Sequence, residues 1–166
     1  MGELLLAAVI VLMDQLSKVG ATTLVTSRGS VELIPGVLGL TITWNYGASW
    51  GILSGKTAFL LIVTGLVCAA IFIALILGRP KDRFARIALG LVLGGAVGNA
   101  LDRLADGRVT DMLETLFMDF PIFNVADCFI TVGGVLFCVA LLLEERRKPR
   151  PLGKETGDDA GTDGAA

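Results

Sequence analysis

Residues 57–78 carry no charged side chain, and this uninterrupted run of 22 residues constrains the fold more than any other stretch. As an α-helix it would be about 33 Å long, which is enough to cross the hydrocarbon core of a bilayer. The whole chain is 54% hydrophobic and only 18% charged, too apolar for an ordinary soluble domain. The sequence therefore predicts a polytopic membrane protein.

Three further segments, residues 4–25, 84–104 and 123–143, have the length and composition of membrane helices. Together with residues 57–78 they predict a mainly α fold with four transmembrane helices, contained in one domain over residues 1–145. Because Glu3 is the only early charge, the first helix lacks the basic start of a signal peptide and is expected to stay uncleaved. In the third helix, Gly90, Gly94 and Gly98 recur every four residues, a pattern that lets helix backbones approach closely.

Residues 26–56 differ from these spans and predict a small β platform outside the membrane. Leu38, Leu40, Ile42 and Trp44 alternate with smaller or polar residues, which is typical of a half-buried strand. A turn signal at residues 35–36 separates this strand from the β-branched run at residues 31–34.

The distribution of lysine and arginine predicts the orientation. Nine of these residues flank the turn at residues 79–86 or lie in the tail, and four lie in the opposite segments. By the positive-inside rule, both termini are cytoplasmic, and the platform and the 105–122 loop face outward. Residues 146–166 are predicted to be a disordered cytoplasmic tail.

The residue inventory narrows the possible chemistry. The chain has no histidine, which excludes Ser-His-Asp triads, Cys-His pairs and HExxH zinc sites. Cys68, Cys128 and Cys138 lie in apolar runs without metal-ligand spacing and are interpreted as packing residues. No metal or other cofactor is expected, and without a basic patch nucleic acid is not expected as a partner. Catalysis would rest on carboxylates, a lysine, hydroxyls or the backbone.

Polar residues cluster on the third and fourth helices. Helix three presents one polar side made of Asn99, Asp102 and Arg103. Helix four presents a stripe made of Asn124, Asp127 and Thr131. Asp111 lies in the intervening loop, sixteen residues before Asp127, and a loop of that length can bring the two carboxylates together. An ionisable group at membrane depth is costly, so Asp127 is interpreted as functional.

For the remaining polar residues, two interpretations stay open. Asp111 is a functional or an ordinary loop residue, and Asp102 with Arg103 forms an interfacial pair or supports a site. Asn99 and Asn124 join helices or serve the site, and Asp14 and Lys18, four residues apart, form a buried ion pair or line the site. The sequence also predicts a solvated loop face, which is formed by Asp106, Glu114 and Asp119.

Two carboxylates in a partly dry site have a defined chemistry. Like charges that lie close together do not both ionise easily, so the pair holds one proton. The ionised member can take a proton from water while the protonated member polarises a carbonyl. Such a pair hydrolyses a peptide bond without histidine or metal.

Four ordered blocks resemble the lipoprotein signal peptidase (signal peptidase II) family of bacterial inner-membrane aspartic endopeptidases. They are DQLSK at residues 14–18, NYGASWG at 45–51, GGAVGNALDR at 94–103 continuing through GRVTD at 107–111, and FNVAD at 123–127. The resemblance covers nearly all of residues 4–143. The sequence departs from the family pattern at Ser49 and Trp50, where Ala-Phe is more usual, and in a short loop between Asp111 and Asp127.

The resemblance implies that Asp111 and Asp127 are the catalytic pair. It also implies a set of residues that support the site or contact substrate: Asp14, Lys18, Asn45, Gly95, Asn99, Arg103, Asn124 and Ala126. The implied substrates are diacylglyceryl-modified prolipoproteins, cut just before the lipidated cysteine, and the implied inhibitors are globomycin-like cyclic peptides. The implied enzyme is a monomer that contacts membrane lipids, with its active site near the outer face.

Three rival hypotheses remain. A serine–lysine peptidase would not use the adjacent Ser17 and Lys18, which point away from each other on a helix, but it would use Ser49 or Ser54 with Lys56. A small transporter or channel would line its path with Asp127 and the Asp14–Lys18 pair. A non-catalytic assembly factor would bind lipoprotein precursors without cutting them.

Overall fold

The computed structural model describes residues 1–48 and 52–147. The helices are α1 (Gly2–Arg28), α2 (Thr57–Ile76), α3 (Arg83–Asp106) and α4 (Val125–Arg147). The strands are β1 (Val31–Ile34), β2 (Leu38–Asn45) and β3 (Val109–Thr115). All four helices are long and apolar enough to cross a membrane. The predicted mainly α fold, with four candidate spans and a small sheet, is confirmed.

Helix α3 is the centre of the bundle because glycines on two of its faces admit its neighbours. On one face, a Cβ added at Gly94 would lie 2.7 Å from Cβ of Ile10, and one added at Gly98 would lie 2.6 Å from Oδ2 of Asp14. The glycine row therefore faces α1. On another face, a Cβ at Gly95 would meet the carbonyl oxygen of Ala126 in α4. The backbones of α1 and α4 thus both lie close to α3.

Helix α2 packs on α3 by one edge only. Leu75 is its single buried residue among those described, and it joins Ala7 and Leu93 in an apolar cluster. The rest of the helix presents exposed aliphatic and aromatic side chains such as Phe59 and Leu66. This exterior is the one expected of a helix that faces lipid.

The three strands form an antiparallel sheet in the order β1-β2-β3. The strands predicted at residues 31–34 and 38–44 are present, but the prediction of a loop over residues 105–122 is wrong where β3 forms. Strand β3 pairs with β2 so that Val109 lies opposite Asn45 and Asp111 opposite Thr43. Strand pairing is decided by contacts across the sheet rather than by local propensity. The polar residues of β3 interrupt the local sequence pattern that would predict a strand.

The ends of several elements differ from their predicted positions. Helix α4 starts at Val125 rather than at residue 123, because Phe123 pairs with Leu113 in an isolated antiparallel bridge. The carbonyl oxygen of Phe123 accepts the N–H groups of Met112 at 2.9 Å and Leu113 at 2.8 Å. Helix α1 continues to Arg28, inside the predicted platform, and α4 continues to Arg147, inside the predicted tail. The remaining tail, from residue 148, and the departures at Ser49 and Trp50 lie outside the described residues.

Candidate active site

Asp111 and Asp127 line one cavity of about 690 Å³. Its walls come from α2, α3, α4 and β3 and from the segment that precedes α4. Leu60 and Thr64 of α2 face Ile130 and Thr131 of α4 across it. Its helical walls carry apolar side chains such as Leu60 and Ile130 beside polar ones such as Asn99, and the carboxylates lie on β3 and in the first turn of α4. The two aspartates that the resemblance pairs are brought to the same space.

Asp127 is placed by the start of helix α4. The side-chain oxygen of Asn124, the residue before the helix, accepts the N–H of Asp127 at 2.9 Å. In return, Oδ2 of Asp127 accepts the N–H of Asn124 at 3.2 Å. This reciprocal pair has the geometry of a capping box, which satisfies free N–H groups at a helix start. The carboxylate is thus fixed to the backbone, while the residue remains partly open to the cavity.

Asp111 is placed by strand β3, where it is 3% exposed. Its Oδ2 accepts from Nδ2 of Asn45 on β2 at 3.0 Å, and its Oδ1 accepts from Nδ2 of Asn124 at 2.7 Å. Burial and, less strongly, the negative charge of Asp127 raise the pKa of Asp111 to about 6, against the lowering effect of these amide donors. The raised pKa thus comes mainly from burial of the carboxyl group, and the neighbouring carboxylate adds to it.

Two asparagines connect the carboxylates. Nδ2 of Asn99 donates to Oδ1 of Asp127 at 2.8 Å, and Oδ1 of Asn99 accepts from Nδ2 of Asn124 at 3.0 Å. Since Asn124 also donates to Asp111, a continuous chain of amides runs from one aspartate to the other. The sequence left two interpretations open for Asn99 and Asn124, a link between helices or a role in the site. Their contacts agree with both, because the amides join α3 to α4 and also donate hydrogen bonds to the carboxylates.

A buried ion network lies behind the asparagines. Nζ of Lys18 is 2.7 Å from Oδ2 of Asp14 and 2.9 Å from Oδ2 of Asp102, and it donates to Oδ1 of Asn99 at 3.2 Å. Lys18, Asp14 and Asp102 are all at most 8% exposed. A buried charge is tolerated when it is paired and hydrogen-bonded. The Asp14–Lys18 pair is therefore buried and also linked to the candidate site.

The network also positions the two elements that carry the aspartates. The second carboxylate oxygen of Asp14, Oδ1, accepts the N–H of Ala126 at the start of α4 at 3.0 Å. Oδ2 of Asp102 accepts the N–H of Thr110, next to Asp111, at 3.0 Å. Each carboxylate thus binds a backbone N–H adjacent in sequence to one aspartate of the pair.

Asp102 and Gln15 belong to this network, and the sequence reasoning did not include them among the site residues. Asp102 was considered either an interfacial partner of Arg103 or a supporting residue, and its 8% exposure and its contact with Lys18 favour support. Gln15 places Nε2 at 2.9 Å from Oδ1 of Asp102 and 3.2 Å from the carbonyl oxygen of Gly98. The signal that could have identified Gln15 is its place in the DQLSK block.

Arg103 lies at the cavity wall between the platform and α3. Its Nη2 donates to the carbonyl oxygen of Gly47 at 2.8 Å, and its Nη1 donates to that of Asn99 at 3.4 Å. Its charge also interacts with those of Asp127 and Asp111. Arg103 therefore holds the loop after β2 over the cavity while supplying positive charge near the pair.

Gly95 and Ala126 have a packing role. A side chain at Gly95 would meet the carbonyl oxygen of Ala126 and lie 2.8 Å from Cγ1 of Ile130. Ala126 has no exposed surface. These two small residues bring the first turn of α4 against α3, and only at this separation do Asn99 and Asp127 come within hydrogen-bond distance.

The serine–lysine alternative finds no support in the described residues. Oγ of Ser17 donates to the carbonyl oxygen of Asp14 at 2.7 Å, and Lys18 is engaged with two carboxylates. Ser54 and Lys56 are exposed, away from the carboxylate network. Ser49 lies outside the described residues. Within residues 1–48 and 52–147, no three His, Cys, Asp or Glu side chains are arranged to hold a metal ion.

Comparisons with known proteins agree over most of the chain. The family model described as signal peptidase (SPase) II matches residues 6–143. A lipoprotein signal peptidase of Enterococcus faecalis is 41% identical over 142 residues, which is 86% of this chain and 88% of the relative. One of Clostridium acetobutylicum is 39% identical over 149 residues, covering 88% and 97% of the two chains. One of Staphylococcus aureus is 38% identical over 148 residues, covering 88% and 91%.

Two solved structures have the same fold. One is a bacterial membrane enzyme determined by the in meso method at 2.3 Å resolution, with a TM-score of 0.78 and 34% identity. It covers 92% of this chain and 94% of its own. A second, at 1.9 Å resolution, has a TM-score of 0.73 and 37% identity and covers 85% and 92%. The similarity therefore extends over all four helices and the sheet.

Proposed function

The chain belongs to the signal peptidase II family, and from this membership together with the site we propose that it is an aspartic endopeptidase. Membership supports a protease that removes signal peptides from prolipoproteins in a bacterial membrane. We propose further that the substrates are diacylglyceryl-modified and that cleavage occurs just before the lipidated cysteine. Asp111 and Asp127 would activate the attacking water.

One observation carries this proposal: two carboxylates on different elements line one cavity whose walls include residues of three membrane-spanning helices. The apolar side of the cavity, with Leu60 and Ile130, suits the lipid chains of a substrate. The polar end suits an extended peptide that reaches the carboxylates from the sheet. A lipid anchor that stays between the helices would fix the depth of the scissile bond, which is a form of positioning.

In the proposed mechanism the pair begins with one proton, held by Asp111, and Asp127 is ionised. Asp127 removes a proton from a water molecule, and the water oxygen forms a bond to the carbonyl carbon of the scissile amide. Asp111 gives its proton to the carbonyl oxygen, so the tetrahedral intermediate carries no net charge. The raised pKa of Asp111, about 6, supports a pair that holds one proton between its two carboxyl groups.

Collapse of the intermediate returns the pair to its starting state. Asp127 passes the proton it took from water to the amide nitrogen, and the carbon–nitrogen bond breaks. A hydroxyl proton of the intermediate returns to Asp111 as the new carbonyl forms. One water is consumed, one acid and one amine are released, and no metal or cofactor is required.

The supporting residues receive roles from their contacts. Asn45, Asn99 and Asn124 would orient the two carboxylates through the amide bonds described above. Asp14 and Lys18 would position α1 against the start of α4. Gly95 and Ala126 would set the separation of α3 and α4, and Arg103 would hold the loop above the peptide.

The test is mass spectrometry of a lipidated precursor incubated with purified wild type, Asp111→Asn and Asp127→Asn. Loss of a general acid or base costs about 10²–10⁴-fold in rate, so each variant should release almost no signal peptide. Asp119→Asn is the matched control, because Asp119 lies in the same inter-aspartate segment and is exposed. Wild-type cleavage by either active-site variant would contradict the aspartic mechanism. Cleavage at another bond would contradict the proposed position alone.

We also propose the orientation derived from the charges: both termini in the cytoplasm, with the platform and the aspartates near the outer face of the bacterial inner membrane. Labelling of single cysteines in intact cells with a membrane-impermeant maleimide tests it, in a chain whose native cysteines are replaced. A cysteine at Ser30 should react from outside, and one at Lys81 should react only after the cells are opened. The reverse pattern would invert the topology.

The proposed partners are lipidated precursors and the surrounding lipids, and the proposed unit is a monomer. A globomycin-like cyclic peptide would inhibit by occupying the cavity beside Asp111 and Asp127. Competition between such a peptide and the precursor, followed as an increase in KM at constant kcat, tests the shared site.

A further inference from the structure

The end of the sheet where Leu38 pairs with Thr115, four residues beyond Asp111 along β3, carries an exposed apolar surface, which we call the distal patch. Its members are each between 38% and 64% exposed. They are Leu33, Ile34, Val37, Leu116, Phe117, Met118 and Phe120. Leu33 and Ile34 come from β1, Val37 comes from the turn that follows it, and the other four come from the segment after β3. Contiguous exposed apolar surface of this kind marks contact with a protein or a membrane.

The two parts of the patch form one surface because the backbone joins them. The N–H of Leu116 donates to the carbonyl oxygen of Val37 at 3.0 Å, and Thr115 lies opposite Leu38 in the sheet. The side chain of Leu116 covers Gly39, where an added Cβ would lie 3.1 Å from its Cδ2. The turn and the segment after β3 therefore lie next to each other at this end of the sheet.

The base of the patch lies at the depth where the helices enter the bilayer. Phe120 packs edge-to-face on Phe123, with ring centroids 5.8 Å apart, and Phe123 is two residues before α4. Phe120 also lines the cavity together with Leu60 and Ile130. At 1.5 Å per residue, these two lie only about 5 and 8 Å inside their helices. The base of the patch is thus level with the first turns of α2 and α4, the helices whose exposed apolar side chains face lipid.

The charges around the patch also favour lipid over a charged partner. Asp119 is the one charged residue of the segment between Leu116 and Phe120, and it is exposed. Glu32 in β1 uses its carboxylate to accept the N–H of Gly36 in the turn at 3.0 Å. The turn and the segment contain no lysine or arginine, so binding here would not depend on anionic headgroups. Phenylalanine and aliphatic side chains without basic neighbours suit shallow insertion between acyl chains.

We propose that the distal patch inserts into the outer surface of the lipid leaflet and anchors its end of the sheet there. The sheet is then held at both ends, by α3 and α4 beside the aspartates and by lipid at the patch. This fixes the height of the platform above the cavity. The inference depends on the membrane-spanning helices and not on the catalytic roles of Asp111 and Asp127.

The test places one trifluoromethyl-phenylalanine at Phe117 of the full chain in nanodiscs of zwitterionic phosphatidylcholine. Fluorine relaxation is measured with dissolved oxygen, which concentrates in lipid, and with a water-soluble nickel chelate. The same label at Phe59, which is 53% exposed on α2, gives the lipid reference. The label at Asp106, an exposed residue at the end of α3, gives the water reference.

The ratio of the oxygen effect to the nickel effect at Phe117 should match that at Phe59 and exceed that at Asp106. Addition of anionic phosphatidylglycerol should leave the ratio unchanged. A ratio equal to that at Asp106 would overturn the proposal, as would an oxygen effect that appears only with anionic lipid. Protection from both agents that disappears when the protein is diluted in lipid would show that a second copy covers the patch, and would also overturn it.

Discussion

Helices α2 and α3 have similar lengths and both qualify as membrane spans, yet they meet opposite surroundings. Of the twenty residues of α2 only Leu75 is buried, whereas ten of the twenty-four in α3 are buried, among them Asn99 and Asp102. Hydropathy detects α2 most easily because its exterior is lipid. The exterior of α3 is protein on two sides, so this helix can carry glycines, amides and charges. The less hydrophobic span is the one that builds the site.

The comparison predicts that the largest losses come from the charges packed against α3. Lys18→Met leaves Asp14 and Asp102 buried without their cation, and breaking a buried ion pair costs about 3–5 kcal/mol. The expected result is a large fall in thermal stability in nanodiscs, measured by intrinsic fluorescence, together with loss of cleavage. Leu66→Met on α2, at a 67% exposed position, is the control and should change neither.

A double variant sharpens this test. In Lys18→Met/Asp102→Asn one of the two uncompensated charges is removed, so part of the stability should return. A double variant less stable than Lys18→Met alone would show that Asp102 does not depend on Lys18.

The second prediction compares one glycine from each helix. Gly95→Ala forces a methyl group against the carbonyl oxygen of Ala126, and overpacking of this kind costs about 1–3 kcal/mol. Because the start of α4 must move, the bond between Asn99 and Asp127 should lengthen and kcat should fall. Gly65→Ala on α2 meets nothing within 4 Å. It should be neutral, or more stable by about 0.5–1 kcal/mol because alanine favours the helix. Equal effects at the two positions would refute the contrast.

The smallest expected effect is a pH dependence of thermal stability that arises from Asp111 in the site and has no counterpart in α2. The pKa of Asp111 is raised from 3.8 to about 6 in the folded chain. A raised pKa gives stability that is complete below the unfolded value and is lost as pH rises through the folded value. Wild type should therefore lose thermal stability relative to Asp111→Asn between about pH 4 and pH 7. Melting curves across this range provide the measurement, and parallel curves for the two proteins would contradict it.

The sequence predicts the helices well because each is a long local pattern. It predicts Asp127 as functional because a lone carboxylate on an apolar helix is costly. It does not place Asp111, since the strand that holds it exists only through pairing with β2. Gln15 and Asp102 were missed for a related reason, because each acts through residues of another element. Gln15 in α1 contacts Asp102 in α3, and Asp102 contacts Lys18 in α1 and Thr110 in β3.

The bridge between Leu113 and Phe123 makes the placement of the two aspartates independent of the length of the segment between them. Phe123 is bound to Met112 and Leu113, so the backbone beside Asp111 is tied directly to the backbone beside Asn124. The distance between the two carboxylates is then set by this short closed ring and not by residues 114–122. Within that segment, residues 116–119 can be lengthened or shortened without moving the carboxylates, whereas residues 120–122 line the cavity. An epitope inserted after Asp119 should therefore leave the site intact.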